Sequence, residues 1–309
     1  MDVKDKSLQL FYNHAIHPEL IRMERRRRRL VRLLLGSGLL IFALFIFQLY
    51  LGIAALALFI MIPVAFYGVQ LYLSVKRFVK TYKPAIVKQI LSYIQTRPNV
   101  GELHYDPEKS IGKSEFKASG LFEGKFDYYE GEDYIAGKIG EMPFELCELS
   151  VREVSSVANQ LRVVFQGIYV LATFNEETSG SVRVWPRRQR QHLTRAMKNF
   201  AWKEGKDVAD EIESVKFRDN FIVYATEETV VHDVLTKPMQ DALYEYYKKT
   251  GHDLYIAFED RKIYAALGTS EDLLEPEIFY SNLGFDQVKK HYDDIWQVLE
   301  IVRVFDQMH

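Results

Sequence analysis

The longest pattern in the chain is a run without charge. From Leu33 to Val75 no residue is ionisable in the ordinary sense, and the plainly polar positions are Ser37, Gln48, Gln70 and Ser74. As one helix this run would extend roughly 60 Å, about twice the hydrocarbon thickness of a bilayer. It is therefore expected to divide into two spans, near 31–50 and 53–75. The break falls at "QLYLG", 48–52, where Gln48, Tyr50 and Gly52 suit an interfacial turn. Pro63 lies inside the second span, where a kink is tolerable, and "GSG" at 36–38 offers small residues for close helix packing in the first. A buried soluble hairpin would show polar positions at helical spacing, which these stretches lack. A cleaved signal would have a shorter apolar core than one that continues well past "ALA" at 55–57, and a shorter basic preamble.

Helical spacing recurs on both sides of the run. Leu8, Phe11, Tyr12, Ala15 and Ile16 share a face, and Pro18 is placed to open a second helix, so residues 1–30 read as a basic amphipathic segment lying at the interface. In "KPAIVKQILSYIQ", 83–95, Ile86, Ile90, Leu91 and Ile94 share a face. This predicts a juxtamembrane helix within 76–98 that ends before Pro98.

From about residue 100 the period shortens to two. "KFDYYEGEDYIAGKIGEMPFELCELSVREV", 125–154, reads as a meander of three short strands punctuated at Glu130-Gly131 and Gly140-Glu141. "LRVVFQGIYVLATF", 161–174, is a strong strand with a bend at Gly167, and "SVRVWP", 181–186, is expected to pair with it across "NEETSG". "FIVYAT", 221–226, and "VVHDVL", 230–235, follow. Next comes a helix from "KPMQDALYEYYKKTG", with Pro238 in its first turn and Gly251 at its cap. "DLYIAFEDRKIYAALG", 253–268, predicts a hairpin turning at Glu259 to Lys262. The final amphipathic helix places Val288, Tyr292, Ile295, Leu299 and Val302 on its apolar side. Residues 187–210 fit either a helix or an excursion. The fold class is α+β: a two-helix transmembrane hairpin, then a mixed, mainly antiparallel sheet domain over 99–309 with packed helices.

Charge turns this layout into a topology. Residues 1–83 hold 13 Lys/Arg and 4 Asp/Glu, which leaves 27 Lys/Arg against 38 Asp/Glu, a net of -11, for 84–309. Arg22, Arg25, Arg26, Arg27, Arg28, Arg29 and Arg32 precede the first span, and Lys76, Arg77, Lys80 and Lys83 follow the second. The hairpin loop has no Lys or Arg, so the positive-inside rule puts both flanks in the cytoplasm of a two-pass inner (plasma) membrane protein. These cations are read as interface anchors on anionic headgroups, at about 1 kcal/mol for each near the surface. An acidic domain argues against nucleic acid as a partner. The exception is 187–210, where Arg187, Arg188, Arg190 and Arg195 are candidate contacts for lipid or an acidic partner.

Chemistry is harder to find. The chain has no Walker A, dinucleotide, zinc-protease or nucleophile-elbow motif, so no cofactor, metal or catalytic residue is assigned. His14 and His17 lack an obvious third ligand, and His104, His192, His232, His252 and His291 are scattered. Glu130, Glu132 and Asp133 form an acidic cluster at the expected hairpin tip, a set that can hold a divalent cation. Cys147 is the single cysteine, which rules out an intramolecular disulfide and suits a reducing compartment.

The basic N-terminal segment and the two-span run are followed by "YDPEKSIGKSEFKASGLF", "GEDYIAGKIGEMPFELCEL", "VFQGIYVLATF" and "FRDNFIVYATEETVVHDVLTKPMQDAL". In that order they resemble a bacterial membrane-protein family known as domain of unknown function 3137. The resemblance implies a hairpin anchor and a cytosolic α+β domain, and brings no catalytic residues. The expected role is a membrane-anchored binding or scaffolding module for a protein partner or a second copy. Tyrosines of "FDYYEGEDY" and "LYEYYKK" would supply either its docking surface or its core. The alternatives are a tethered enzyme, which needs Glu130, Asp133 or His232 to converge, a small-molecule or ion-responsive sensor, and a transport component that needs assembly because two spans without charge give no ion path in a monomer.

Overall fold

A computed structural model describes residues 3–51, 54–155, 160–174, 180–203, 205–269 and 283–308. Its helices are α1 (Val3–Phe11), α2 (His17–Leu51), α3 (Ala54–Ile94), α4 (Lys113–Ala118), α5 (Thr194–Trp202), α6 (Val215–Asn220), α7 (Val231–Val234), α8 (Lys237–Thr250) and α9 (Phe285–Met308). Its strands are β1 (His104–Asp106), β2 (Tyr128–Ile139), β3 (Met142–Val154), β4 (Leu161–Thr173), β5 (Ser181–Pro186), β6 (Lys206–Asp207), β7 (Phe221–Ala225), β8 (Asp253–Glu259) and β9 (Lys262–Gly268). The chain divides into two compact units: Met1–Tyr93 with Leu274–Asp293, and Ile94–Leu273 with Asp294–His309.

The first unit is helical. A π-helical turn, Tyr12–Ile16, joins α1 to α2 without a break, so Pro18 does not open a second helix but lies just past the π-turn, where the hydrogen-bond ladder is already shifted. The helical run Lys6–Gln48 is long and apolar enough to cross a membrane, none of its most apolar stretch is buried, and it is the one such helix found among the described residues. The expected turn at 48–52 is only partly visible, because residues 52 and 53 lie outside the described set. The second span and the juxtamembrane helix are not separate elements: α3 runs unbroken through Pro63 and Pro84 to Ile94. An added Cβ at Gly36 or Gly38 would meet nothing within 4 Å, so "GSG" is not a point of close packing here.

Residues 1–30 do not present a bare apolar face. Leu8, Tyr12, Ile16 and Leu20, at four-residue spacing, are buried, as are Phe78, Tyr82, Ile86 and Ile90 of α3 and Val288 and Tyr292 of α9. Tyr93 contacts Phe11 at 5.0 Å and Tyr292 at 5.6 Å between ring centroids, and hydrogen-bonds Ser7 at 2.6 Å. The amphipathic face is thus spent on protein packing rather than offered to lipid.

The second unit is built on one sheet, ordered β1-β2-β3-β4-β9-β8-β5-β7-β6, with every pair antiparallel. Three expectations are corrected. The meander of three strands is a single long hairpin, β2 with β3, turning at Gly140-Glu141. Glu130-Gly131 lies within β2, and a Cβ at Gly131 would stand 2.5 Å from Leu149 and 2.6 Å from Ser110. Glycine is there because neighbours press close, not because the chain turns. Nor does β5 pair with β4. The β8–β9 hairpin inserts between them, with Ile168 opposite Leu267 and Val182 opposite Phe258. The reason is visible in burial. Leu254 to Phe258 and Ile263 to Leu267 are buried at every position, so both strands need cover on two faces and belong at the centre of the sheet. "VVHDVL" forms the short helix α7 rather than a strand.

The two faces carry separate cores. On one, Phe116 of α4 stacks on Phe122 at 5.3 Å and packs against Phe165 and Tyr169, with Trp185, Tyr255 and Tyr264 in the same cluster. On the other, Phe258 meets Phe174 and Phe305 of α9, while Phe221 meets Phe217 and Tyr247. Helix α8 begins as the sequence predicts. Thr236 caps the N–H of Met239, Pro238 follows, and Gly251 closes the helix in the left-handed conformation. The large sheet with packed helices makes the fold α+β.

Candidate functional site

Among the described residues of the second unit, a cavity of about 420 Å³ lies where the start of β4 meets α5. Its floor comes from Val163 to Gln166 and from the ends of β8 and β9, at Asp253, Tyr255 and Gly268. The turn before α5 supplies Gln189 and His192, α5 supplies Arg195, and Glu123 and Phe122 close the far side. The residues of 187–210 that sequence left between helix and excursion therefore form one wall.

The charges around it are ordered by partners. Arg188 pairs with Asp253 and also donates to the Gly251 carbonyl at 2.9 Å, and Gln189 donates to the other Asp253 oxygen at 2.7 Å. Buried Glu153 receives Arg195 at 3.2 Å and Arg162 at 3.9 Å. Asn199 donates to Glu123 at 2.7 Å. Arg162 and Arg195 share one carboxylate, so that edge of the cavity is locally cationic, although the three arginines around it are balanced by Glu123, Glu153 and Asp253. These carboxylates are held as ion-pair and hydrogen-bond partners. The local excess at Arg162 and Arg195 suits an anionic group better than proton transfer.

The four candidate contacts of this segment differ. Arg187 donates to the carbonyls of Arg218 and Phe221, both at 3.0 Å, and Arg188 is held as described. Arg195 shares Glu153 but remains largely exposed, and Arg190 is exposed. Among the flanking cations of the first unit, Arg27 and Lys83 are buried. Arg27 forms a two-pronged pair with buried Glu24, both contacts at 2.7 Å, and Arg28 adds a third at 2.8 Å. The other nine, Arg22, Arg25, Arg26, Arg28, Arg29, Arg32, Lys76, Arg77 and Lys80, have exposed side chains.

The acidic cluster is not at a hairpin tip. Glu132 and Asp133 lie at a register shift in β2, Asp133 with φ of 58°, and Glu148 of β3 joins them, with one carboxylate oxygen of each within 4.8 Å of the others. Tyr105 donates to Asp133 at 2.6 Å, and burial, with Asp133 beside it, pushes the pKa of that phenol up. Glu130 faces Ser150 across the hairpin, whereas His232 stands 3.3 Å from Glu213. Glu130 and Asp133 lie on β2 and His232 on α7. Oxygen donors of this kind suit a hard cation, but one needing six or more ligands would find three here.

Tyrosine is mostly structural. Tyr134 and Tyr246 are buried, Tyr129 donates to the Ile111 carbonyl at 2.8 Å, and Tyr128 is the exposed one of its run. Cys147 is fully buried and accepts the Ile111 N–H at 3.3 Å, and burial pushes its thiol up to about 12. Phe200 and Trp202 stand out in the sequence as aromatics of the basic stretch; Phe200 is buried and Trp202 is 88% exposed on α5, while Trp185, which the sequence does not single out, is buried and donates to the Leu121 carbonyl at 3.0 Å. Trp202 falls opposite Ala196, Met197 and Phe200 once α5 is drawn as a helix, whereas Trp185 is buried on strand β5.

The fold defines a class, a chain with a helical unit that carries a long exposed apolar helix and with an antiparallel α+β unit. Within that class, residues 163–307 match the family described as protein of unknown function (DUF3137), a stretch that includes 187–210 and runs from β4 into α9. A comparison with curated proteins finds no match. Among solved structures, the crystal structure of the mycobacterial trehalose monomycolate transport factor A, TtfA, is similar at 9% identity, covering 71% of this chain and 95% of that one. Its TM-score is 0.33, too low for the likeness to carry an argument.

Proposed function

We propose that the chain is a two-span membrane anchor carrying a cytoplasmic binding module, whose ligand seat is the cavity beside α5. The observation that carries it is the presence in one chain of an unburied apolar helix and of a sheet domain whose cavity is lined by Arg162 and Arg195. The second span is supported by the uncharged stretch of α3 up to Val75 and by a crevice lined from both helices, Gly36 and Leu40 facing Pro63, Val64 and Tyr67. Anchoring cations flank both apolar stretches, and none lies between them. This favours a hairpin with both ends in the cytoplasm.

A cavity of about 420 Å³ is within the range of small-ligand sites. Its arginines favour an acidic group, either on a protein partner or on a second copy. Photocrosslinkers placed at Arg162 and Arg195 in native membranes test the seat. The reading expects a discrete crosslinked partner or dimer that disappears when the crosslinkers are moved to Lys216 and Lys237, far along the chain. Equal crosslinking from all four positions would reject the cavity as the seat.

A further inference from the structure

Helix α5 has two unlike faces. Leu193, Ala196, Met197 and Phe200 are buried, with Phe200 edge-on to Trp185 at 6.2 Å and the Arg183 guanidinium 5.0 Å over its ring. Asn199 is tied to Glu123. The helix is therefore fixed in place, and its outward stripe is Arg195, Lys198 and Trp202, at i, i+3 and i+7. Trp202 is the most exposed large apolar side chain among the described residues, at 88%. Lys203 and Lys206 follow it, and Arg190 precedes it, all exposed. Residues 187–206 hold seven Lys/Arg against one Glu, in a part of the chain that is otherwise strongly acidic.

We infer that α5 is a peripheral contact for an anionic bilayer surface, with Trp202 entering the headgroup layer and Lys198, Lys203, Lys206 and Arg190 at the phosphates. Three observations select lipid over an acidic protein. An indole on the convex face of a helix has no pocket around it, and aromatic anchors of protein interfaces sit in desolvated pockets. Indole, with an apolar body and one N–H, is the side chain best suited to the headgroup layer. Lysines act as point charges that tolerate mobile phosphates, whereas fixed carboxylates are matched by the arginine fork. The arginines that do have partners, Arg187, Arg188 and Arg195, are already used within the protein. An acidic domain is repelled by anionic lipid over a Debye length, so this island also sets which face approaches.

The inference rests on the membrane-anchored reading, since an anchor keeps a bilayer at high effective concentration. The full chain is reconstituted into vesicles of phosphatidylcholine alone or mixed equally with phosphatidylglycerol, in each case with acyl chains brominated or not. Flotation with either composition reports the anchor. Emission of the wild type minus that of Trp202→Phe isolates Trp202 from Trp185 and Trp296. The expected result is bromine quenching of Trp202 in the anionic vesicles, lost in phosphatidylcholine, lost in high salt, and weakened about fivefold per charge in Lys198→Glu and Lys203→Glu. Unchanged circular dichroism shows the variants folded. Flotation without such quenching overturns the lipid contact and leaves the anchor standing, while failure to float overturns the anchor. Quenching absent in pure lipid, with Trp202 shielded only in native membranes, overturns the lipid contact in favour of a protein.

Discussion

At the scale of single residues, two positions set sharp limits. Gly167 has φ of 141°, and a Cβ there would collide with the backbone carbonyl of Leu267 on the neighbouring strand. Gly167→Ala should therefore destabilise the sheet unit by roughly 2–4 kcal/mol, read as a lowered denaturant midpoint with unchanged slope. A neutral substitution would mean that β4 and β9 do not approach as described. His291 is buried among cations, and neither ring nitrogen has a hydrogen-bond partner among the described residues. Burial first, then the charges of Lys290 and Lys83, lower it from 6.5 to about 4. The folded state thus favours the neutral ring, so stability is full above about pH 6.5 and falls as pH drops toward about 4. The loss should total about 3 kcal/mol. His291→Leu should flatten that slope, and a slope identical in the variant would contradict the assignment.

At the scale of elements, legibility followed local signals. The α8 cap, the β8–β9 turn and the face of α9 were readable because each is specified by residues within a few positions: Thr236 and Pro238, Asp260 and Arg261, Val288 to Val302. Strand order was not readable, because pairing β5 beside β8 is a decision made across some seventy residues by burial on both faces. Gly131 misled for a related reason: glycine for a turn and glycine for a close approach are the same letter. The site was legible by half. The basic segment 187–210 was visible as charge, but which cations point inward depends on Asp253, Glu153 and the carbonyls of Arg218 and Phe221, all distant in sequence.

At the scale of the whole molecule, the long uncharged run and the asymmetry of charge make the membrane hairpin the central claim. Burial of Arg27 and Lys83 leaves enough exposed cations on both flanks for the positive-inside argument to hold. The measurement that bears most directly is cysteine accessibility in intact spheroplasts. In a Cys147→Ala background, single cysteines are introduced as Asn13→Cys, Gly52→Cys and Lys237→Cys and treated with a membrane-impermeant maleimide. The account predicts labelling at position 52 alone, with positions 13 and 237 reacting only after permeabilisation. Labelling of 237 but not 13 in intact spheroplasts would mean one crossing, and would contradict the hairpin.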